Sequence, residues 1–141
     1  MFYVDASAVV AAVTEEAHSE RVWAWLDRQS AGTVFISDWT HTEVASALSI
    51  KLRTGQLTID QRATALAAYR QLQAASLHTL AVTPQHFTRA THFATQHDLG
   101  VRAGDALHLA IAAASGFKLF TLDTTMANAA PLLGIPVEPL D

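Results

Sequence analysis

The chain has 141 residues, half of them hydrophobic and 16% charged, with a formal net charge of −4. That length and composition exclude a disordered chain and predict a single domain over residues 1–141, able to bury roughly 68–70% of its unfolded surface. The absence of cysteine excludes disulfides, zinc–thiolate sites and thiol catalysis, and the excess of acids argues against a protein that simply coats nucleic acid. An enzyme acting on nucleic acid stays open, because a metal site can supply positive charge locally. Met1-Phe2-Tyr3-Val4 is too short for a signal-peptide core, and no apolar run approaches the ~20 residues of a membrane helix. The expectation is a soluble cytoplasmic protein with no membrane contact.

Phe2-Tyr3-Val4 reads as a short strand stopped by Asp5, and Ala6–Val13 as a first helix that Ser7 helps to start. Residues Ala17–Gln29 form a second helix whose buried stripe is Val22, Trp25 and Leu26. Thr33–Ser37 is a second strand leading through Ser37 or Asp38 into a helix over Trp39–Arg53, ended by Gly55. Thr58 caps a long helix that runs to Ser76. Thr79–Val82 is a third strand ended by Pro84, and residues Gln85–His97 return as helix. The next helix, from Ala103 to Gly116, is apolar almost all round (Ala106, Leu107, Leu109 to Ala114), which places it inside the domain. Lys118–Leu122 is a fourth strand, Thr125–Ala130 a short helix before Pro131, and Ile135–Glu138 an edge strand that its proline confines to that position.

Strand and helix thus alternate from end to end without linker, repeat or low-complexity segment. Short, continuously apolar strands separated by helices argue for a mostly parallel sheet covered on both faces. In such sheets the site gathers at the carboxyl ends of the strands. Two strands end there in aspartate, Asp5 and Asp123. Asp105 stands at the N-terminal end of the buried helix, and Glu43 lies early in the helix after the second strand, at the border of its buried side. Each acid has a local explanation as a cap or dipole partner, but four such coincidences at one rim are improbable. Clustered carboxylates repel unless a cation neutralises them. Oxygen-only donors point to a hard divalent ion, Mg²⁺ or Mn²⁺, which can activate water against a phosphodiester.

In that order, Phe2-Tyr3-Val4-Asp5-Ala6-Ser7, Glu43, Asp105-Ala-Leu-His-Leu-Ala110 and Thr121-Leu-Asp123 resemble a PIN-domain ribonuclease. The wording Ala-Gly-Asp-Ala-Leu-His-Leu-Ala is most similar to the VapC-type toxins of bacterial toxin–antitoxin pairs. The resemblance spans essentially the whole chain. It implies a three-layer α/β/α sandwich, Mg²⁺- or Mn²⁺-dependent cleavage of RNA, a homodimer, and a cognate antitoxin protein that blocks the site. Carried over by position, Asp5, Glu43, Asp105 and Asp123 would be the metal-binding acids, with Ser7 and Thr121 as hydroxyls beside them. His108, three residues after Asp105, would orient a carboxylate, touch substrate, or simply be a satisfied buried histidine. Basic residues are few, so Arg102, Lys51, Arg53 and Lys118 are the candidates for holding RNA.

Other signals carry less. His41 and Glu43 do not share a helix face, His92 and His97 are five apart, and neither spacing suits a transition metal. No glycine-rich phosphate loop and no serine-hydrolase elbow is present. The alternatives are a catalytically inactive interaction module and a phosphate-accepting receiver domain. The latter would need adjacent acids after the first strand and a lysine at the end of a late strand. Here Ala6 follows Asp5, and Lys118 begins its strand.

Overall fold

A computed structural model of the chain describes all 141 residues. The first apolar triplet, Phe2–Val4 (β1), is an interior strand of a four-stranded sheet; β2 is Val34–Ser37, β3 Leu77–Leu80 and β4 Lys118–Phe120. The order is β3-β2-β1-β4, and every pairing is parallel: Phe2 lies opposite Val34 and Lys118, and Val34 opposite Leu77. The connecting helices are α1 (Ala6–Val13), α2 (Ser19–Asp27), α3 (Asp38–Arg53), α4 (Ile59–Ser76), α5 (Pro84–Ala94), α6 (Ala103–Ser115) and α7 (Thr124–Leu132), with a 3-10 turn at His97–Leu99. No helix is long and apolar enough to cross a membrane.

Strand periodicity divides the core into two. Val4 and Phe120 join α1 to α4 in one buried cluster, while their neighbours Tyr3 and Leu119 join α5, α6 and α7 in the other. Alternate side chains of one strand point to opposite faces, so the result is the three-layer α/β/α sandwich expected. Trp25 lies in the first cluster, its ring stacked on Phe120 at 3.8 Å and edge-on to Phe2 at 5.1 Å. In the second, α6 is buried without interruption from Ala106 to Ala112, as its lack of a polar face requires.

Helix starts are chemically specified. Ser37 accepts the Thr40 N–H, and its own N–H donates to the Thr40 hydroxyl, at 3.3 and 3.1 Å. Thr58 and Gln61 make the same reciprocal pair at the head of α4, at 3.1 and 2.9 Å. Glycine in the left-handed conformation at Gly116 (φ 70°) ends α6.

Several boundaries differ from expectation. β3 begins at Leu77 directly out of α4 and stops at Leu80, two residues earlier than the apolar run suggests, because pairing with β2 is exhausted at Ser37. The α5 helix ends at Ala94 in place of His97, and the chain tightens into the 3-10 turn. α2 starts at Ser19, whose hydroxyl closes the preceding turn by accepting Glu16 N–H and donating to Thr14 C=O. The anticipated edge strand is reduced to one parallel bridge, Leu119 with Val137. Pro131 lies inside the last turn of α7 and does not follow its end.

Trp25→Ala removes the largest fully buried side chain and should cost about 3–5 kcal/mol of unfolding free energy. Denaturant titration of the variant against the wild-type protein measures this directly.

Candidate active site

The chain runs from β1 to β2 and β3 on one side, and returns to the other side for β4. The direction of winding therefore reverses between β1 and β4, where open parallel sheets form their ligand crevice. Two loops meet there. Asp5, 3% exposed, caps α1 by accepting the Ala8 N–H, and its Oδ1 also receives the Ser7 hydroxyl at 2.8 Å. Asp123 caps α7 in the same way, its Oδ1 accepting the Met126 N–H at 2.8 Å. The loops are tied together by Leu122 N–H donating to Ser7 Oγ at 2.9 Å and by Asp5 N–H donating to the Phe120 carbonyl at 3.3 Å. Thr121 Oγ1 lies 3.4 Å from Ser7 Oγ and accepts the Asp123 N–H at 3.0 Å. Ser7 and Thr121 thus stand between the two aspartates as hydroxyl links.

The other two acids approach from the helices. Asp105, in the first turn of α6, accepts the Arg102 N–H through Oδ2 at 3.2 Å. Glu43, one and a half turns into α3, has no backbone donor. Its Oε2 is 2.6 Å from His108 Nε2, and His108 Nδ1 is 2.7 Å from the Tyr3 hydroxyl, which lies 2.8 Å from Ser37 Oγ. His108 and Tyr3 are both 0% exposed. Of the readings open for His108, the structure therefore gives a buried, fully bonded histidine that also touches an acid, and the acid is Glu43, not Asp105.

The electrostatics are those of carboxylates with little cationic relief. Burial pushes the Asp5 carboxyl above the usual aspartate value, against the opposing influence of His108 and the Ser7 hydrogen bond. Burial also raises Asp105. The Arg102 N–H opposes that rise, while the charges of Asp123 and Glu43 add to it. No lysine or arginine pairs with any of the four acids. The donor set, all oxygen and negatively charged, suits a hard divalent cation in kind. On Glu43, Asp105 and Asp123 one oxygen is engaged locally and the other accepts no protein hydrogen bond. No group of three acids or histidines is already drawn together around an ion position, so side-chain rotation would have to close the set.

The basic candidates separate. Lys51 lies in a groove of about 460 Å³ beside Ser7 and Glu43, paired with Glu16 at 2.7 Å. Arg102 is exposed at the rim next to Asp105, and Arg53 is exposed at the far end of α3. Lys118 begins β4, at the rim opposite the acids, and pairs with Glu138 at 3.1 Å. That position removes the lysine a receiver domain would need. By sequence alone Tyr3, Trp39 and Gly104 have no role at the site, and Ser37 only that of a helix cap. A tyrosine in an otherwise apolar strand and a glycine in the first turn of a helix were the available signals.

The PIN domain family matches residues 2–131; the chain belongs to that family. No curated protein matches the chain by sequence. Among solved structures it is similar to VapC20 of Mycobacterium tuberculosis, a sarcin–ricin loop cleaving toxin, at 17% identity and a TM-score of 0.72, covering 92% of this chain and 95% of that one. VapBC2 of Rickettsia felis, bound to a promoter DNA fragment, aligns over 100% of both chains at 14% identity and a TM-score of 0.72. FitAcB of Neisseria gonorrhoeae gives 19% identity and a TM-score of 0.67, over 99% and 97% of the two chains. At these identities the likeness establishes the fold.

A raised aspartate pKa means that the folded state binds the proton more tightly than the unfolded one. The stability penalty is therefore complete above the folded pKa and disappears below the unfolded value. Asp5→Asn should raise the melting temperature of the metal-free protein at neutral pH. The difference from wild type should shrink towards zero as pH falls to the ordinary aspartate range. Paired melting curves across pH read both the sign and the window.

Proposed function

We propose that the protein is a Mg²⁺- or Mn²⁺-dependent endoribonuclease acting as the toxin of a toxin–antitoxin pair. The observation that carries this reading is the gathering of Asp5, Asp105, Asp123 and Glu43 around the β1–β4 crevice without a lysine or arginine partner. Membership of the PIN domain family and the named activity of the Mycobacterium tuberculosis neighbour support it. Asp5 and Asp105 would bind the ion directly, with Glu43 and Asp123 completing the set. When bound, the metal supplies a water of lowered pKa and charge compensation for a phosphodiester that gains water across one P–O bond.

The chain's own residues prepare this. The Ser7 hydroxyl fixes one oxygen of Asp5 and, through Leu122 N–H, couples the β1 loop to the β4 loop. Thr121 restrains the backbone at Asp123. Arg102 and Lys51 flank the acids and would meet the RNA backbone, where Lys and Arg neutralise phosphates. Base identity would then be read by loops and shape, as is usual for single-stranded RNA. A cognate antitoxin is part of the same proposal, supported by a structural neighbour that is itself a toxin–antitoxin complex; a homodimer is proposed on the family resemblance alone.

The test is cleavage of a mixed cellular RNA pool with Mn²⁺, with Mg²⁺ and with chelator. Cleavage should require the metal. Asp105→Asn should lower the rate by more than ~100-fold, since even partners behind a ligand are worth ~10- to 100-fold. Undiminished cleavage in chelator, or by Asp105→Asn, would sink the metal mechanism.

A further inference from the structure

Asp5, Asp105 and Asp123 each accept a backbone N–H at the head of a helix, which fixes their direction. Glu43 accepts from one side chain only, His108. A long, rotatable carboxylate anchored by no backbone group must be aimed by its surroundings. Two residues of α6 do this, one at each carboxylate oxygen.

Gly104 is the first. The other five glycines all have positive φ, between 69 and 79°, so their backbone accounts for them. Gly104 is helical, and helix propensity by itself favours alanine there. What sets it apart is its surroundings. A Cβ at this position would stand 2.7 Å from Glu43 Oε1 and 3.3 Å from Trp39 Cζ2, whereas none of the other glycines would meet anything closer than 3.9 Å. The Glu43 carboxylate occupies the volume that a side chain on residue 104 would fill. His108 is the second, one helical turn on and on the same face. Because a carboxylate accepts and does not donate, His108 Nε2 carries the hydrogen in its 2.6 Å bond to Oε2. The Tyr3 hydroxyl on Nδ1 fixes the ring.

We infer that Gly104 and His108 are positioning residues for Glu43: the gap at 104 admits its carboxylate between α3 and α6, and the His108 N–H holds one oxygen so that the other stays available. The inference rests on the reading of Glu43 as a metal-binding acid. Its consequence is that glycine at 104 serves the site at the expense of the helix.

The decisive experiment measures Mn²⁺ binding by calorimetry, and metal-free melting, for wild type, Gly104→Ala, Glu43→Ala and the double variant. Gly104→Ala should melt at or above wild type yet bind Mn²⁺ about 10- to 100-fold more weakly, the range seen when a ligand loses its support. In the Glu43→Ala background the same substitution should add no further loss, since coupled residues are non-additive. Wild-type affinity in Gly104→Ala, or an equal loss in both backgrounds, overturns the inference. Unchanged Mn²⁺ affinity in Glu43→Ala alone overturns the metal-ligand reading of Glu43 itself, and so tells the two failures apart. For His108, the glutamine variant, which retains an N–H, should keep more affinity than the leucine variant of similar size. Equal affinities overturn its part, and should both fail to fold, the Gly104 cycle decides alone.

Discussion

Three residues at the centre of the sheet, Phe2–Val4, hold β2 on one side and β4 on the other, and the position of every acid follows from that pairing. Because β1 is flanked by strands reached in opposite winding directions, its carboxyl end opens into a crevice and not into another strand's crossover. Asp5 is the residue immediately past that end. Asp123 comes to the same place from β4, and two reciprocal hydrogen bonds, Leu122 N–H to Ser7 Oγ and Asp5 N–H to the Phe120 carbonyl, lock the two loops into one rim.

That rim is built against the electrostatic preference of its parts. A carboxylate as buried as Asp5 loses solvation that one hydroxyl and one N–H replace only in part. Asp105 faces two further negative charges. The two apolar clusters, with Trp25 stacked on Phe120 in one and the uninterrupted apolar run of α6 in the other, supply the stability that such a site consumes. Strain of this kind concentrated at one crevice is how folds commonly accommodate function.

A polar chain crosses the interior behind the acids. Ser37 at the end of β2, Tyr3 in β1, His108 in α6 and Glu43 in α3 are linked in sequence by contacts of 2.8, 2.7 and 2.6 Å. It joins two strands and both helix layers, so the orientation of Glu43 depends on the packing of the whole domain. Burial holds the Tyr3 hydroxyl strongly protonated, leaving it able to donate. Buried networks of this sort are valuable when every member is satisfied and costly when one is lost.

The amino-acid pattern alone determined the alternation of strand and helix, the burial of α6, the cap at Thr58, a cap at Ser37 or Asp38, and the placing of Asp5 at a strand end; β4 stops at Phe120, so Asp123 stands three residues beyond it, as the cap of α7. Those features are local: apolar periodicity, capping chemistry and glycine or proline punctuation act over a few residues and read directly from the chain. Boundaries such as β3 escaped it, because where a strand stops is set by the length of its partner, Val34–Ser37, and not by its own apolar run. So did the company of His108. From its spacing it looked like a neighbour of Asp105, but the fold brings Glu43, 65 positions earlier in the chain, to within 2.6 Å of its ring. Gly104 is the sharpest case. One missing side chain in a helix means nothing until the carboxylate that fills its place is packed against it, and only tertiary structure brings α3 and α6 that close.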